Sequence, residues 1–315
     1  MVLSDGFVHP YFSLTSMPRS SQPESFATPD SGNLNRRQSL ALLLALGSSA
    51  AVAQTELEDL AKIRAKGTLK VAVYKDNPPF SSGKSGEMVG LDMSIAQALA
   101  KQMKLGLAML PFDAGENMGD DLRNMVWRGH YLGYGPADVM LNVPVDKYLA
   151  QQNRQVVIFS PYMRQVPVLM RDVKAIVKFD APDDLKGHKL AAERGTGTAS
   201  ALIGQQNGQL SSQVTLFATG VEAAASVLQG RAEAAYVLRS QAESALAADK
   251  TRASQFAIDN LTLPGLPDNG WPIGLAVKTS NKDLGQALQV AMKDLRESGE
   301  LLAIFAQHGM TLTAP

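Results

Sequence analysis

The sequence predicts a two-lobed α/β protein, because short apolar strands alternate with amphipathic helices from Leu69 to Met170 and the alternation begins afresh at Lys189. That order argues for two mixed, mostly parallel sheets, each covered by its own helices. A third observation sets the compartment: Arg36 and Arg37 lead into the apolar run Leu40 to Leu46 and a small-residue stretch ending Ala51-Val52-Ala53. Such a run is an export signal with cleavage expected before Gln54, and it falls short of the roughly 20 apolar residues that span a bilayer.

Taken in order, a short polar helix is expected around Leu57 to Ala65 and Gly67 ends it. Leu69, Val71 and Val73 then alternate with Lys70 and Ala72, the pattern of a half-buried strand. Asn77-Pro78-Pro79-Phe80 turns the chain, and Gly90 precedes a helix whose Leu91, Ile95, Leu99 and Met103 share one face, with Asp92 as its expected cap. A strand over Leu107 to Phe112 follows, then loop and helix over Gly115 to Arg128. Ala137 to Leu141 is a short apolar strand opening into Asn142-Val143-Pro144, and Val156 to Phe159 and Val166 to Met170 are two more.

In the second half, strands are expected over Lys189 to Glu193, Val214 to Ala218, Ala232 to Leu238 and Gln255 to Asp259. Helices over Thr198 to Gln206, Val221 to Leu228 and Ser240 to Ala247 separate them. Pro264, Gly265, Pro267, Gly270 and Pro272 punctuate the approach to a last strand, Ile273 to Val277, and the helices Leu284 to Arg296 and Leu301 to His308 close the chain.

Composition narrows the function. The first 53 residues carry three basic and three acidic side chains, so the remaining 262 residues hold 27 of each and are neutral. A neutral chain with no basic cluster has no footprint for nucleic acid or an anionic membrane. The absence of cysteine excludes disulfides, thiolate metal sites and thiol nucleophiles. With Gln54 at the cleavage point there is no thiol for a lipid, so no membrane anchor is expected and the mature protein should diffuse in a periplasm. The segment before Arg36, rich in Ser, Pro, Gln and Asn, reads as disordered leader, with Met17 as an alternative start. Arg36-Arg37 with Leu40 matches a twin-arginine signal in part, but Ser39 stands where a large apolar residue is usual, which favours the general secretory route.

Six segments in order carry a resemblance: Leu69 to Val73 with Pro78-Pro79-Phe80, Gly90-Leu91-Asp92, Ala137-Asp138-Val139, Phe159-Ser160-Pro161-Tyr162, Gly195-Thr196-Gly197-Thr198, and Gly230 to Ala234. Together, over residues 67 to 310, they resemble the family 3 extracellular solute-binding proteins, which include the polar amino acid receptors of ABC importers. The resemblance implies a "Venus flytrap": lobe one from residues 54–163 and 273–315, lobe two from 168–263, with hinge crossings at 164–167 and 264–272. Residues 1–53 are leader and export signal. It also implies a solute site at the strand ends, formed by Tyr74, Asn142, Thr196, Gly197, Thr198 and Leu238, with Phe80 stacking on the solute. No cofactor or metal is implied.

Ligands of open α/β sheets do sit beyond the carboxyl ends of the strands, and Thr196-Gly197-Thr198 at a helix start offers N–H groups and hydroxyls to an anion; the alternative is that Thr198 only caps its helix. Trp271, beside two prolines, either faces the cleft or packs on the return strand.

Two departures from the family pattern bear on the ligand. Arg154 is the candidate carboxylate clamp, yet it lies one residue closer to Phe159 than the family spacing, where Asn153 would stand. The family's ammonium-binding acid, eight residues after Gly230, is here Leu238. An α-ammonium would then enter the cleft unpaired, which favours an uncharged polar or anionic solute over a zwitterion.

The third departure is an expanded segment from Met125 to Pro136, where Trp127, Tyr131 and Tyr134 concentrate aromatic surface. They either contact a protein partner or pack onto their own lobe. This segment, with Ile304 to Met310, is similar to a branch of the family associated with periplasmic quinoprotein dehydrogenases, including those of methanol oxidation. Partners are therefore a small solute and an ABC permease, or alternatively such a dehydrogenase. A dehydratase of the cyclohexadienyl type is the remote alternative: His130, His188 and His308 form no Ser/His/Asp grouping and lack metal-ligand spacing. Glu193 is the one carboxylate to test as an acid or base, and a salt bridge to Arg194 or Lys189 would explain it more simply. No enzyme activity is expected.

Overall fold

The computed structural model describes residues 59–84 and 86–315. The leader, the export signal and the cleavage point before Gln54 lie outside the described residues.

Along the chain the elements are α1 (Asp59–Lys66), β1 (Thr68–Tyr74), β2 (Asp76–Asn77), β3 (Ser81–Ser82), α2 (Leu91–Gln102), β4 (Gly106–Phe112), α3 (Met118–Leu122) with a π-helical turn (Arg123–Trp127), β5 (Val139–Pro144), α4 (Lys147–Gln152) and β6 (Val156–Gln165). There follow β7 (Pro167–Asp172), β8 (Leu190–Glu193), α5 (Gly197–Ile203), β9 (Val214–Phe217), α6 (Gly220–Leu228), β10 (Ala234–Leu238), α7 (Arg239–Ala247), β11 (Phe256–Asn260), β12 (Trp271–Lys278), α8 (Lys282–Glu297) and α9 (Glu300–Gln307).

They build two five-stranded sheets, ordered β4-β1-β5-β12-β6 and β11-β7-β10-β8-β9. In the first, β1 runs parallel to β4 and β5 while β12 is antiparallel to β5 and β6. In the second, β8 runs parallel to β9 and β10 while β7 is antiparallel to β10 and β11. Both are the mixed sheets of a two-lobed flytrap.

The strand β1 differs from its half-buried expectation: Leu69, Val71 and Val73 face the core under α2 and α8, and Ala72 is buried in a second cluster with Phe112 and Met140. Parallel strands are covered on both faces, so the alternation of Lys70 and Ala72 marks small and snorkelling residues, not a wet side. On α8, Leu284, Leu288, Ala291, Met292 and Leu295 are buried at helical spacing and seal the same core.

Asp92 does not cap α2. Gly90 holds that position at φ +125, and the α2 N–H groups of Leu91 and Asp92 are met by the carbonyls of Pro79 and Phe80, at 3.1 and 2.8 Å. A Cβ on Gly90 would stand 2.3 Å from the Phe80 oxygen, so only glycine lets the proline turn close on the helix.

The sheets meet through two chain crossings. β6 continues through Gln165, paired with Trp271 at the start of β12, so both strands run further than the sequence pattern marks. At Gly270 (φ +64) an added Cβ would lie 1.9 Å from the Gln165 oxygen, which shows the two crossings in backbone contact. The chain end adds a third contact: Arg164 N donates to Thr313 O at 3.0 Å and Thr311 N to the Glu243 carboxylate on α7 at 2.7 Å.

Candidate functional site

The carboxyl ends of β1, β5, β8 and β10 converge on a cleft of about 260 Å³ between the two sheets. Tyr74, Asn77, Met118, Asn142 and Pro144 supply one wall, and Glu193, Thr196, Gly197, Thr198, Leu238 and Gln241 the other. Gln165, Trp271 and Ile273 line it from the crossing strands. A larger open depression of about 620 Å³, lined by Arg64, Gly67 and Lys104, lies beside the amino end of β1, the wrong end for ligands of such sheets.

Asn142 sits at the end of β5 with φ +60, a conformation a non-glycine residue rarely holds and one that clusters at binding sites. Its surroundings enforce it: the N–H donates to the Tyr162 hydroxyl at 3.1 Å, Nδ2 to Asp92 Oδ2 at 3.2 Å, and Oδ1 accepts from Gln165 Nε2 at 3.2 Å. Tyr162 also donates to Asp92 Oδ1 at 3.1 Å. Burial pushes the Asp92 carboxyl up to about 6, against these two hydrogen bonds that favour its charge.

Tyr74 is held at the cleft by a 2.8 Å hydrogen bond from its hydroxyl to Asp121 and by its tilted contact with Phe112 at 4.7 Å. Burial and the Asp121 carboxylate both raise its pKa, so it stays a neutral phenol.

On the facing wall Thr196, not Thr198, caps α5: its hydroxyl accepts from Ala199 N at 3.2 Å and donates to the Glu193 carbonyl at 2.7 Å. A hydroxyl has one proton to give, so in the 2.8 Å contact between the two threonines Thr198 is the donor. Both hydroxyl protons are spent inside the loop. The expected anion cradle of hydroxyls is therefore absent, and Thr196→Ala should cost about 1 kcal/mol of stability through the cap, measured by urea unfolding.

Glu193 forms no salt bridge with Arg194 or Lys189. Its Oε2 accepts from Gln241 Nε2 at 2.8 Å, the Gly220 N–H adds to the same carboxylate, and burial raises its pKa above the usual carboxylate range. Gln241 in turn accepts from Leu238 N at 3.0 Å.

Two expected solute contacts are elsewhere. The Phe80 side chain is fully buried in the lobe-one core, because its backbone closes on α2 and turns the ring inward. Arg154 is exposed just before β6, where Thr279 donates to its carbonyl at 3.0 Å. Val156, paired with Lys278, and Gln165, paired with Trp271, stand seven β12 steps apart, about 23 Å at 3.3 Å per residue, and the cleft is at the Gln165 end. Arg154→Ala should leave solute affinity within twofold by calorimetry, and a tenfold loss would return Arg154 to the site.

Sequence reading missed Asn77, Met118, Gln165 and Gln241. Only Gln241 left a signal: it stands one helical turn beyond Leu238, at the start of α7.

The aromatic segment divides. Trp127 belongs to the π-helical turn and packs on the cluster with Phe112 and Met140, onto its own lobe. Tyr131 is 87% exposed, Leu132 68%, and His130 stacks on Tyr134 at 4.3 Å. Among the described residues no group of His, Asp and Glu could hold a metal ion, and no helix is long and apolar enough to cross a membrane.

The chain is similar to the L-cystine-binding protein TcyJ of Escherichia coli K12, 25% identical over 278 residues that cover 85% of this chain and 93% of that protein. No protein-family model matches it. Among solved structures it resembles an ancestral cationic amino acid solute-binding protein, at TM-score 0.61 and 20% identity over 79% of this chain and 99% of that one. It also resembles an amino acid ABC transporter substrate-binding protein from Streptococcus pneumoniae bound to L-arginine, at TM-score 0.57 and 19% identity over 80% and 98% of the two chains. Another is an ancestral amino acid-binding protein described as a precursor of cyclohexadienyl dehydratase, at TM-score 0.54 and 18% identity over 79% and 99%. These likenesses establish the flytrap fold.

Proposed function

We propose that this chain, a relative of the extracellular solute-binding proteins, captures a small polar solute of the amino acid and amine class in the interlobe cleft and delivers it to an ABC importer from the periplasm. The supporting observation is the cleft itself: polar groups from both sheets converge on one cavity whose walls are joined by chain crossings that permit rigid-body closure. Tyr74, Asn142, Thr198, Gln165, Glu193, Gln241 and Trp271 are the proposed solute contacts. No Lys or Arg is among the cleft-lining residues, which favours the polar over the anionic alternative.

A receptor fits better than a dehydratase. No His, Lys or Arg is among the residues lining the cleft with Glu193, and the described histidines are engaged elsewhere: His188 with Glu233 at 3.0 Å, His308 with Ser94 at 2.8 Å, and His130 with its two tyrosines.

A thermal-shift screen against amino acids, carboxylic acids, amines and sugars tests the reading. A ligand at a hundred times its dissociation constant adds about 2.7 kcal/mol, which raises the midpoint by several degrees; a flat screen sinks the receptor. A second reading, partnership with a periplasmic quinoprotein dehydrogenase, has the exposed Tyr131 and Leu132 in its favour. It expects Tyr131→Ser with Leu132→Ser to abolish co-purification of the dehydrogenase and leave solute binding alone.

A further inference from the structure

Resting on that receptor reading, we infer that the solute is an organic amine without a carboxylate, its ammonium seated on Glu193 and its carbon stem between Tyr74 and Trp271. Glu193 is the one charged side chain among the cleft-lining residues. Its carboxylate has about four lone-pair sites; Gln241 and the Gly220 N–H take two, leaving acceptors for an ammonium.

Carboxylates outnumber cations around it at every depth. Toward solvent the depression continues past Glu193 to Asp76 and Asp113 with no basic residue lining it, and the neighbouring Lys75 is tied to Asp113 at 2.8 Å. Behind the walls stand Asp121, under Tyr74 at 2.8 Å, and Asp92, under Asn142 at 3.2 Å. A negative, partly desolvated cleft concentrates cations and rejects anions. A solute carboxylate would meet no guanidinium, since Arg154 lies at the far end of β6, and no hydroxyl proton from Thr196 or Thr198. It is left with the backbone N–H groups at the start of α5, on the same wall as the Glu193 carboxylate that repels it. The rings of Tyr74 and Trp271 offer faces to alkyl stem and cation alike.

The arrangement also explains Leu238. The carboxylate expected there has moved across to β8, where Gln241 joins the two positions by hydrogen bonds to Leu238 N and Glu193.

Calorimetry on the purified full chain with two matched pairs, cadaverine against L-lysine and agmatine against L-arginine, isolates the carboxylate. We expect at least one amine to bind tenfold or more tightly than its amino acid. Glu193→Gln, which keeps the acceptor for Gln241 and whose melting temperature verifies the fold, should weaken that amine at least tenfold. Arg154→Ala should leave it within twofold. Tighter binding of the amino acids or of succinate, or an unchanged Glu193→Gln, would overturn the amine inference while the receptor stands. Silence of every solute class would overturn the receptor reading and this inference together.

Discussion

Phe80→Ala is expected to lose about 3–5 kcal/mol of folding stability, the range for emptying a buried aromatic site, with solute affinity in the folded remainder held within twofold. The ring is fully buried in the lobe-one core among Leu91, Ile95 and Met88. Its surroundings cannot collapse easily, because the Pro79 and Phe80 carbonyls are bound to the start of α2 and Gly90 lies against them. Urea unfolding followed by tryptophan fluorescence reads the stability and calorimetry the affinity. A tenfold affinity loss with little loss of stability would put the ring in the cleft after all.

Asp92→Asn is expected to flatten the acid dependence of stability: it removes the buried charge, although its amide NH2 replaces an oxygen that accepts from Tyr162 or Asn142. Burial raises the Asp92 carboxyl from 3.8 to about 6 in the folded chain. The folded state therefore holds this proton where the unfolded state has released it, and the group's contribution improves as pH falls through about 6 and levels off below about 4. At about 1.4 kcal/mol per tenfold change in proton affinity, the wild-type minus Asp92→Asn difference changes by on the order of 2–3 kcal/mol between pH 7 and pH 4. Asp121, Asp138 and Glu193 are raised in the same direction. The readout is therefore the wild type minus Asp92→Asn, by urea unfolding at pH 7 and pH 4. A difference that is the same at both pH values would mean that Asp92 stays ionised in the folded core. The side chain backs Asn142 at the cleft, so the folded protein tolerates an uncomfortable carboxylate for the sake of wall geometry.

Much of this was legible from patterns. Strand alternation in β1, the Gly90-Leu91-Asp92 helix start and the restart at Lys189 indicated two covered sheets. What failed was direction. The turn Asn77 to Phe80 announces a fixed ring, but which side of β1 it falls on depends on its carbonyls capping α2, a contact between segments. Asp92 looked like a cap because acidic residues suit helix starts, yet those carbonyls had already filled that role and freed the carboxylate for Tyr162 and Asn142. Arg154 was placed by counting back from Phe159, and counting does not reveal that β6 runs from there away to the cleft. Counting to Leu238 likewise stopped a helical turn short of Gln241, whose amide joins Leu238 to Glu193 within one wall. The site's charge could not be read in sequence either, since Glu193 ends β8, Asp76 opens β2 and Asp113 follows β4.

The place of β12 in the first sheet bears on when that sheet can exist at all. Residues 271–278 are inserted between β5 and β6, and β6 has no other strand partner. A chain that has emerged only as far as residue 270 has every strand of the second sheet, so that lobe can close on its own sequence, whereas β5 is still an edge and β6 is unpaired. Folding of the first lobe must then wait for the last 45 residues, bearing the slow closure of long-range pairs. Domains that complete early are normally the ones nearest the amino terminus; here the middle of the chain finishes first and both ends finish together.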